Sequence, residues 1–386
     1  MRRHVDSYLL EHFKKYKEVM IILGARQVGK TTLVKRLFPD AQYLLVDNEP
    51  VRRILESYDI NTYKNIIKNK EVIIDEIHML SNPGRAIKII YDQMPDIRLI
   101  ITGSSSFHIK NKTSESLAGR KIDYYLYPLT FSEYLFQNNI ESKLNFNIFE
   151  NIIQEKLSEN DIQRHIFDLN SILKIVLCYG LFPNMVNHPQ DKRYLLNFAE
   201  SLIFKDILEL NLIENKKLAS DLLKLLAYQI GNIINYSELA TKLQADQRTI
   251  KRYIEIFEQS FILYRLYPYS RNKRDEIIKS PKIYFYDTGL RNAIINNFSD
   301  IDIRADAGAL FENFIISEVI KSNCYLGANY KIYYWRNKQQ SEVDLVLEKE
   351  DKLIGVEIKM SKARRSFAFQ NRYKVKLQIL NSNNFY

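Results

Sequence analysis

Cysteine is nearly absent. Cys178 and Cys324 stand alone among 386 residues, which excludes a disulfide framework and leaves no zinc-ligand spacing. The six histidines form no ligand set either. Long apolar runs are missing as well: nothing approaches the ~18 consecutive residues that a membrane span requires. After the charged Met1-Arg2-Arg3-His4, the stretch Val5 to Leu10 is too short and too broken for the apolar core of a secretory signal. There is no internal repeat and no low-complexity tract. These absences lead us to expect a globular chain of a reducing cytoplasm, without membrane contact.

What is present is ordinary in bulk and specific in its motifs. Hydrophobic content of 46% can build a core, and the length calls for two or three domains. The net charge of +10 points toward polyanionic partners. A bias toward Asn, Ile and Tyr, the drift expected of AT-rich coding, explains part of the lysine. The most informative stretch is Gly24-Ala25-Arg26-Gln27-Val28-Gly29-Lys30-Thr31, followed by Thr32. It fits G-x-x-x-x-G-K-[ST], and it lies between an apolar strand, Val19 to Leu23, and a helical run from Thr31 to Leu37. In that setting backbone N–H groups cradle phosphates at a helix N-terminus. Lys30 is expected to reach the β- and γ-phosphates of a nucleoside triphosphate, and the Thr31 hydroxyl to ligate Mg²⁺.

A second strand is expected at Tyr43 to Asp47. A third, Glu71-Val72-Ile73-Ile74, ends in Asp75-Glu76. Apolar runs of this kind suit parallel strands buried on both faces, and carboxylates at their C-terminal ends face the ligand crevice. Asp75 is expected to hold Mg²⁺, and Glu76 to orient or deprotonate the attacking water. The next strand runs from Ile97 into Thr102-Gly103-Ser104-Ser105-Ser106, placing Thr102 or Ser104 near the γ-phosphate. Arg120, after Ser116-Leu117-Ala118-Gly119, has two readings: a cation acting in trans on a neighbouring subunit's nucleotide, which implies a homo-oligomer, or a structural charge at a helix end.

Residues 137–160 read as a polar, solvated connection. Helical apolar spacing from Ile162 and Ile166 through Leu177 suggests a helical lid. Helices are expected at Leu222–Ile230, at Ser237–Leu243 and, capped by Asp246, at Gln247–Gln259 with Arg248, Lys251 and Arg252 exposed. A strand at Phe261–Tyr267 completes a winged helix-turn-helix, with Ser270–Glu276 as a basic wing. Such a unit reads DNA or packs as a protein-contact module.

In the last third, Glu342–Glu348 and Leu353–Lys359 form a hairpin-like pair that places Glu357 and Lys359 on one face. Asp344, twelve intervening residues, then Glu357-Ile358-Lys359 is a D…E-x-K pattern. Asp344 and Glu357 are candidate Mg²⁺ ligands, and Lys359 is a candidate for orienting the nucleophile. Glu312, on a preceding helix, is a further carboxylate. Six cations and no acid follow in residues 361–386: Lys362, Arg364, Arg365, Arg372, Lys374 and Lys376.

Taken in order, the phosphate loop, Ile73–Glu76, Ile101–Ser105, Leu117–Arg120 and Pro128–Glu133 resemble a prokaryotic family of AAA-type ATPases. Members of that family end in a domain of unknown function of the 4143 type. Later segments match too: Tyr179–Pro183, Phe204–Ile207, Ser280–Leu290 and Trp335-Arg336. The resemblance implies an α/β fold with a P-loop AAA-type core at 1–136 and a helical lid with its connection at 137–215. A winged helix-turn-helix with a basic linker follows at 216–300, then a restriction-endonuclease-like α/β domain at 301–386. It also implies that Gly180 and Pro183 lie by the adenine. The expected activity is Mg²⁺-dependent ATP hydrolysis coupled to binding or processing of nucleic acid, DNA first. Two rivals belong to other classes: a nucleotide-switched signalling or scaffold ATPase with a non-catalytic C-terminal module, and a transcriptional regulator.

Overall fold

Near-continuous β-branched and aliphatic residues at 19–23, 71–75 and 98–103 can be satisfied only inside a sheet covered on both sides. The computed structural model builds them so, and it describes residues 1–104, 117–157, 168–203, 213–270, 280–360 and 367–386. The expectations placed on Ser105, Ser106, Ser116, Ile162, Ile166, Phe204–Ile207, Arg271–Glu276, Lys362, Arg364 and Arg365 lie outside those residues. The chain forms two compact units: Met1–Pro128 with Gln259–Phe261, and Leu129–Glu258 with Ile262–Tyr386.

In the first unit, β1 (Val19–Leu23), β2 (Gln42–Leu45), β3 (Glu71–Asp75), β4 (Arg98–Gly103) and β5 (Lys121–Tyr125) make an all-parallel sheet in the order β2-β3-β4-β1-β5. All five residues of β1 are buried, whereas those of the edge strand β5 are half-buried. Parallel neighbours bring the C-terminal ends of β1, β3 and β4 to one edge. Gly24, the first residue past β1, runs against the exit of β5: a Cβ there would lie 2.1 Å from the Leu126 carbonyl oxygen. Only glycine allows that approach.

The second unit begins where Phe131 and Leu129 are tied to a distant helix. The Phe131 N–H donates to Glu318 (2.9 Å), and Lys321 donates to the Leu129 carbonyl (3.0 Å), all buried. The helix Phe131–Gln137 carries a complete capping box from Thr130 and Glu133. Residues 137–160, expected to be solvated, contain a helix, Asn147–Ile153, that buries Ile148, Phe149 and Ile152 against the long helix Ala307–Tyr325. Their i, i+1, i+4 spacing is one helical face, outweighed in the sequence by the asparagines around it.

Helices Lys216–Tyr228, Tyr236–Lys242 and Gln247–Gln259 follow, then a two-stranded antiparallel ribbon of β6 (Leu263–Leu266) and β7 (Lys282–Phe285). Asp246 accepts the Arg248 N–H (2.6 Å) ahead of the third of these helices. Beyond the ribbon, β8 (Lys331–Arg336), β9 (Glu342–Lys349), β10 (Lys352–Lys359) and β11 (Leu377–Asn381) form a sheet in the order β11-β10-β9-β8. The ribbon is stitched to β8 through Tyr269 N–H to the Tyr334 carbonyl (2.6 Å) and Tyr334 N–H to the Tyr267 carbonyl (3.1 Å). Among the described residues, no helix is long and apolar enough to cross a membrane.

Candidate functional site

The phosphate-loop edge assembles around one buried carboxylate. Asp75, at the end of β3, is 1% exposed. Its Oδ2 accepts from the Thr31 hydroxyl (2.7 Å) and the Tyr43 hydroxyl (2.5 Å), and its Oδ1 accepts from the Thr102 hydroxyl. Three elements thus converge on it: the helix after the phosphate loop, β2 and β4. In the loop itself, Gln27 and Gly29 are left-handed (φ 61° and 94°), a backbone that builds anion-binding concavities. Lys30 is 5% exposed, and its ammonium donates to the Gly24 and Ala25 carbonyls at 2.9 and 2.8 Å, across the mouth of that concavity. Arg3 steadies the loop from below: its guanidinium donates to the carbonyls of Val28 (3.1 Å) and Tyr127 (2.7 Å).

Glu76 follows Asp75 in a left-handed conformation (φ 58°), so the two consecutive carboxylates diverge. Its N–H donates to Thr102 Oγ1 at 3.4 Å. Burial pushes the Glu76 carboxyl up; Asp75 and Asp47 act in the same direction, while Lys30 and Arg26 oppose them. His78 lies between Glu76 Oε2 (3.2 Å from Nδ1) and Ser104 Oγ (3.3 Å from Nε2). The residues fit Mg²⁺: a hydroxyl and a carboxylate 2.7 Å apart, both hard oxygen donors, beside a phosphate cradle.

Thr102 is fully buried, and its hydroxyl donates to Asp75 and accepts the Glu76 N–H. Arg120 precedes β5, and its carbonyl accepts from Val19 N–H at the start of β1 (2.8 Å), whereas the phosphate loop leaves the other end of β1. Five residues of strand, roughly 16 Å, separate those edges. Arg120 makes a two-pronged pair with Asp92 (2.9 and 3.3 Å).

Gly180 and Pro183 belong to the second unit and have local work there. Gly180 is left-handed (φ 78°), and a Cβ would overlap the Asp287 carboxylate at 2.1 Å. Asp287 in turn accepts the Leu181 N–H (2.5 Å) and caps the helix Thr288–Ile294 through the Leu290 N–H (2.8 Å). Pro183 opens the helix Pro183–Asn187.

The second cluster lies on the C-terminal sheet. The β9–β10 pairing ends at Leu345 opposite Val356, and continuing that register sets Asp344 opposite Glu357, with Lys359 on the same face. Asp344 and Glu357 are buried. Asp344 Oδ2 accepts from the Ile358 N–H (2.8 Å) and from the Lys359 ammonium (2.9 Å). Burial works against the Lys359 charge, but Asp344 outweighs it and holds the ammonium above its ordinary range.

Sequence reasoning missed Lys282 here. It is 2% exposed, and its ammonium lies 3.2 Å from Glu312 and 2.5 Å from Glu342. The Tyr284 hydroxyl donates to the same oxygen of Glu312. Glu312 and Glu342 are thus met by the buried Lys282 ammonium and Asp344 by Lys359, and a divalent cation bound by Glu312 or Glu342 would have to displace Lys282. Among the described residues, no group of three or more His, Cys, Asp or Glu side chains is arranged to hold a metal. Tyr43 was missed too; the signal was a lone hydroxyl-bearing ring in an apolar strand. The register pairs Leu45 with Asp75, which makes Tyr43 its diagonal neighbour on the same face.

Comparison with known proteins places this geometry. Residues 16–135 match the family profile described as "AAA domain". Residues 170–301 match "Domain of unknown function (DUF8612)", and 307–383 match "Domain of unknown function (DUF4143)". An uncharacterized protein of Methanocaldococcus jannaschii is 25% identical, covering 97% of this chain and 82% of its own length. One from Haemophilus influenzae is 20% identical, covering 92% and 86%. The Walker-type ATPase of Pyrococcus abyssi is similar at 14% identity with a TM-score of 0.49, covering 76% of this chain and 95% of that one.

Tyr43→Phe removes one of three donors to Asp75. The Mg²⁺ concentration for half-maximal ATP hydrolysis should rise several-fold, with ATP affinity unchanged within twofold and about 1 kcal/mol of stability lost. A magnesium titration of turnover checks this. At the second cluster, burial, helped by Asp344 and opposed by Lys282, pushes Glu312 up to about 7. A raised carboxyl costs the folded state stability as pH climbs through that value. Lys282→Met removes the opposing charge and raises Glu312 further. Its destabilisation, ~3–5 kcal/mol for a broken buried pair, should therefore be larger at pH 8 than at pH 5 in urea denaturation.

Proposed function

We propose that this chain, an AAA-type ATPase core joined to a C-terminal domain of unknown function, is a Mg²⁺-dependent ATPase that couples turnover to nucleic-acid binding through its second unit. The observation that carries the ATPase chemistry is the convergence of Thr31, Tyr43 and Thr102 on Asp75 with Glu76 beside it. The backbone from Gly24 to Thr32 and the Lys30 ammonium bind the triphosphate of the substrate. Thr31 and Asp75 hold Mg²⁺, which when bound neutralises phosphate charge and orients the terminal phosphoryl group. Thr102 and Tyr43 keep Asp75 in place, and Glu76, raised by burial, orients the attacking water and accepts its proton.

Arg120, at the opposite sheet edge, acts in trans on the nucleotide of a neighbouring copy in this reading, exchanging Asp92 for phosphate charge. We read the three helices and the ribbon as a winged helix. Arg248, Lys251 and Arg252 are exposed on its third helix, above the buried face of Ile250, Tyr253, Ile254 and Phe257. That exposed cationic face and the net charge of +10 support a nucleic-acid partner.

One observation favours the switch reading, in which the second unit contacts protein. Arg252 pairs with Glu214 (3.0 Å) and Lys251 lies over the Tyr236 ring (5.3 Å), so two of these cations have internal partners.

Lys30→Ala should abolish hydrolysis and weaken ATP binding at least tenfold, whereas Glu76→Gln should bind ATP normally and lose turnover by a hundredfold or more. Fluorescent-nucleotide titration and steady-state hydrolysis separate the two effects. Normal turnover in Glu76→Gln would remove the water-positioning role from this residue.

A further inference from the structure

The C-terminal carboxylates share their space with a lysine contributed by a segment outside the C-terminal domain, residues 307–383. Lys282 opens β7, and β7 is held to the long helix Ala307–Tyr325 by a two-way amide clamp. Asn313 accepts the Phe285 N–H (2.7 Å) and donates to the Phe285 carbonyl (2.8 Å). The clamp sits one residue after Glu312, so the same contact that fixes the strand also fixes Lys282 and Tyr284 against the Glu312 carboxylate. From the other side, β9 brings Glu342 onto the same ammonium at 2.5 Å. The ammonium also lies 5.4 Å from the centroid of the Tyr334 ring, on β8. Asp344, two residues along β9 from Glu342, feels both Lys282 and Glu312 and is itself paired with Lys359.

A divalent ion among these carboxylates would need several oxygens at ~2.0–2.6 Å. Lys282 offers the same oxygens three N–H donors, at hydrogen-bond distances, from a side chain 3% exposed. An ammonium and a divalent cation within a few ångströms repel strongly in a site closed to water.

We propose that Lys282 is the resident cation of this carboxylate cluster, so that the C-terminal domain holds no divalent metal and uses the cluster to lock β7 onto its helix and sheet. The D…E-x-K residues then serve recognition and assembly, and phosphodiester cleavage is not their task. This goes beyond the ATPase reading and does not depend on it.

The test is Mn²⁺ binding to the full-length protein without nucleotide, followed by electron paramagnetic resonance of free Mn²⁺. Wild type, Asp344→Asn and Glu357→Gln are expected to bind the same number of ions. One additional ion in wild type, lost in both variants, would overturn the proposal. Lys282→Met, where it folds, is expected to gain one ion that Asp344→Asn removes again. A folded Lys282→Met that gains none would also overturn the proposal, since the lysine would then not be what closes the cluster. If Lys282→Met does not fold, the comparison of wild type with the two carboxylate variants decides alone.

Discussion

A carboxylate taken out of water must be met by donors held in place by the fold, because leaving it bare costs several kcal/mol. That constraint shapes both ends of this chain, and the donors chosen differ. At the nucleotide edge Asp75 is met by three hydroxyls, from Thr31, Tyr43 and Thr102. Hydroxyls satisfy hydrogen bonding but leave the negative charge in place for a metal ion to use. At the C-terminal sheet Glu312 and Glu342 meet Lys282 and Asp344 meets Lys359, ammonium groups that bring the positive charge with them. Two sites that look alike as residue letters therefore differ in what they can bind.

The same constraint explains how the phosphate loop is framed. The parallel order β2-β3-β4-β1-β5 puts the ends of β1, β3 and β4 on one edge, so that Asp75 and Thr102 meet from separate strands at the edge where the phosphate loop leaves β1. Gly24 can leave β1 there only because no Cβ opposes the Leu126 carbonyl. Arg3, far away in sequence, reaches under the loop and joins Val28 to Tyr127.

Legibility in the sequence followed locality. The strand, loop and helix around Gly24–Thr32 were readable because every determinant lies within a dozen residues. The helices at 216–259 and the β9–β10 hairpin were readable for the same reason. The contact of Thr102 with Asp75 was not legible because its strand direction was clear but its facing partner comes from a different strand. The helix Asn147–Ile153 was obscured by polar neighbours that say nothing about Ile148, Phe149 and Ile152. Lys282 was the hardest to read. It stands 62 residues before Asp344 in a stretch that sequence assigned to another part of the chain, and the Asn313 clamp on β7 and the ribbon's stitching to β8 bring it into the cluster. A motif written as D…E-x-K records Asp344, Glu357 and Lys359 and omits the lysine that meets Glu312 and Glu342 beside them.

The most direct measurement is to incubate the protein with single- and double-stranded DNA and RNA in Mg²⁺ or Mn²⁺, with and without ATP, following both phosphate release and strand integrity. The account predicts ATP turnover with salt-dependent nucleic-acid affinity, and every strand left intact. Strand cleavage that disappears in Asp344→Asn would contradict it, as would an absence of ATP hydrolysis under all conditions.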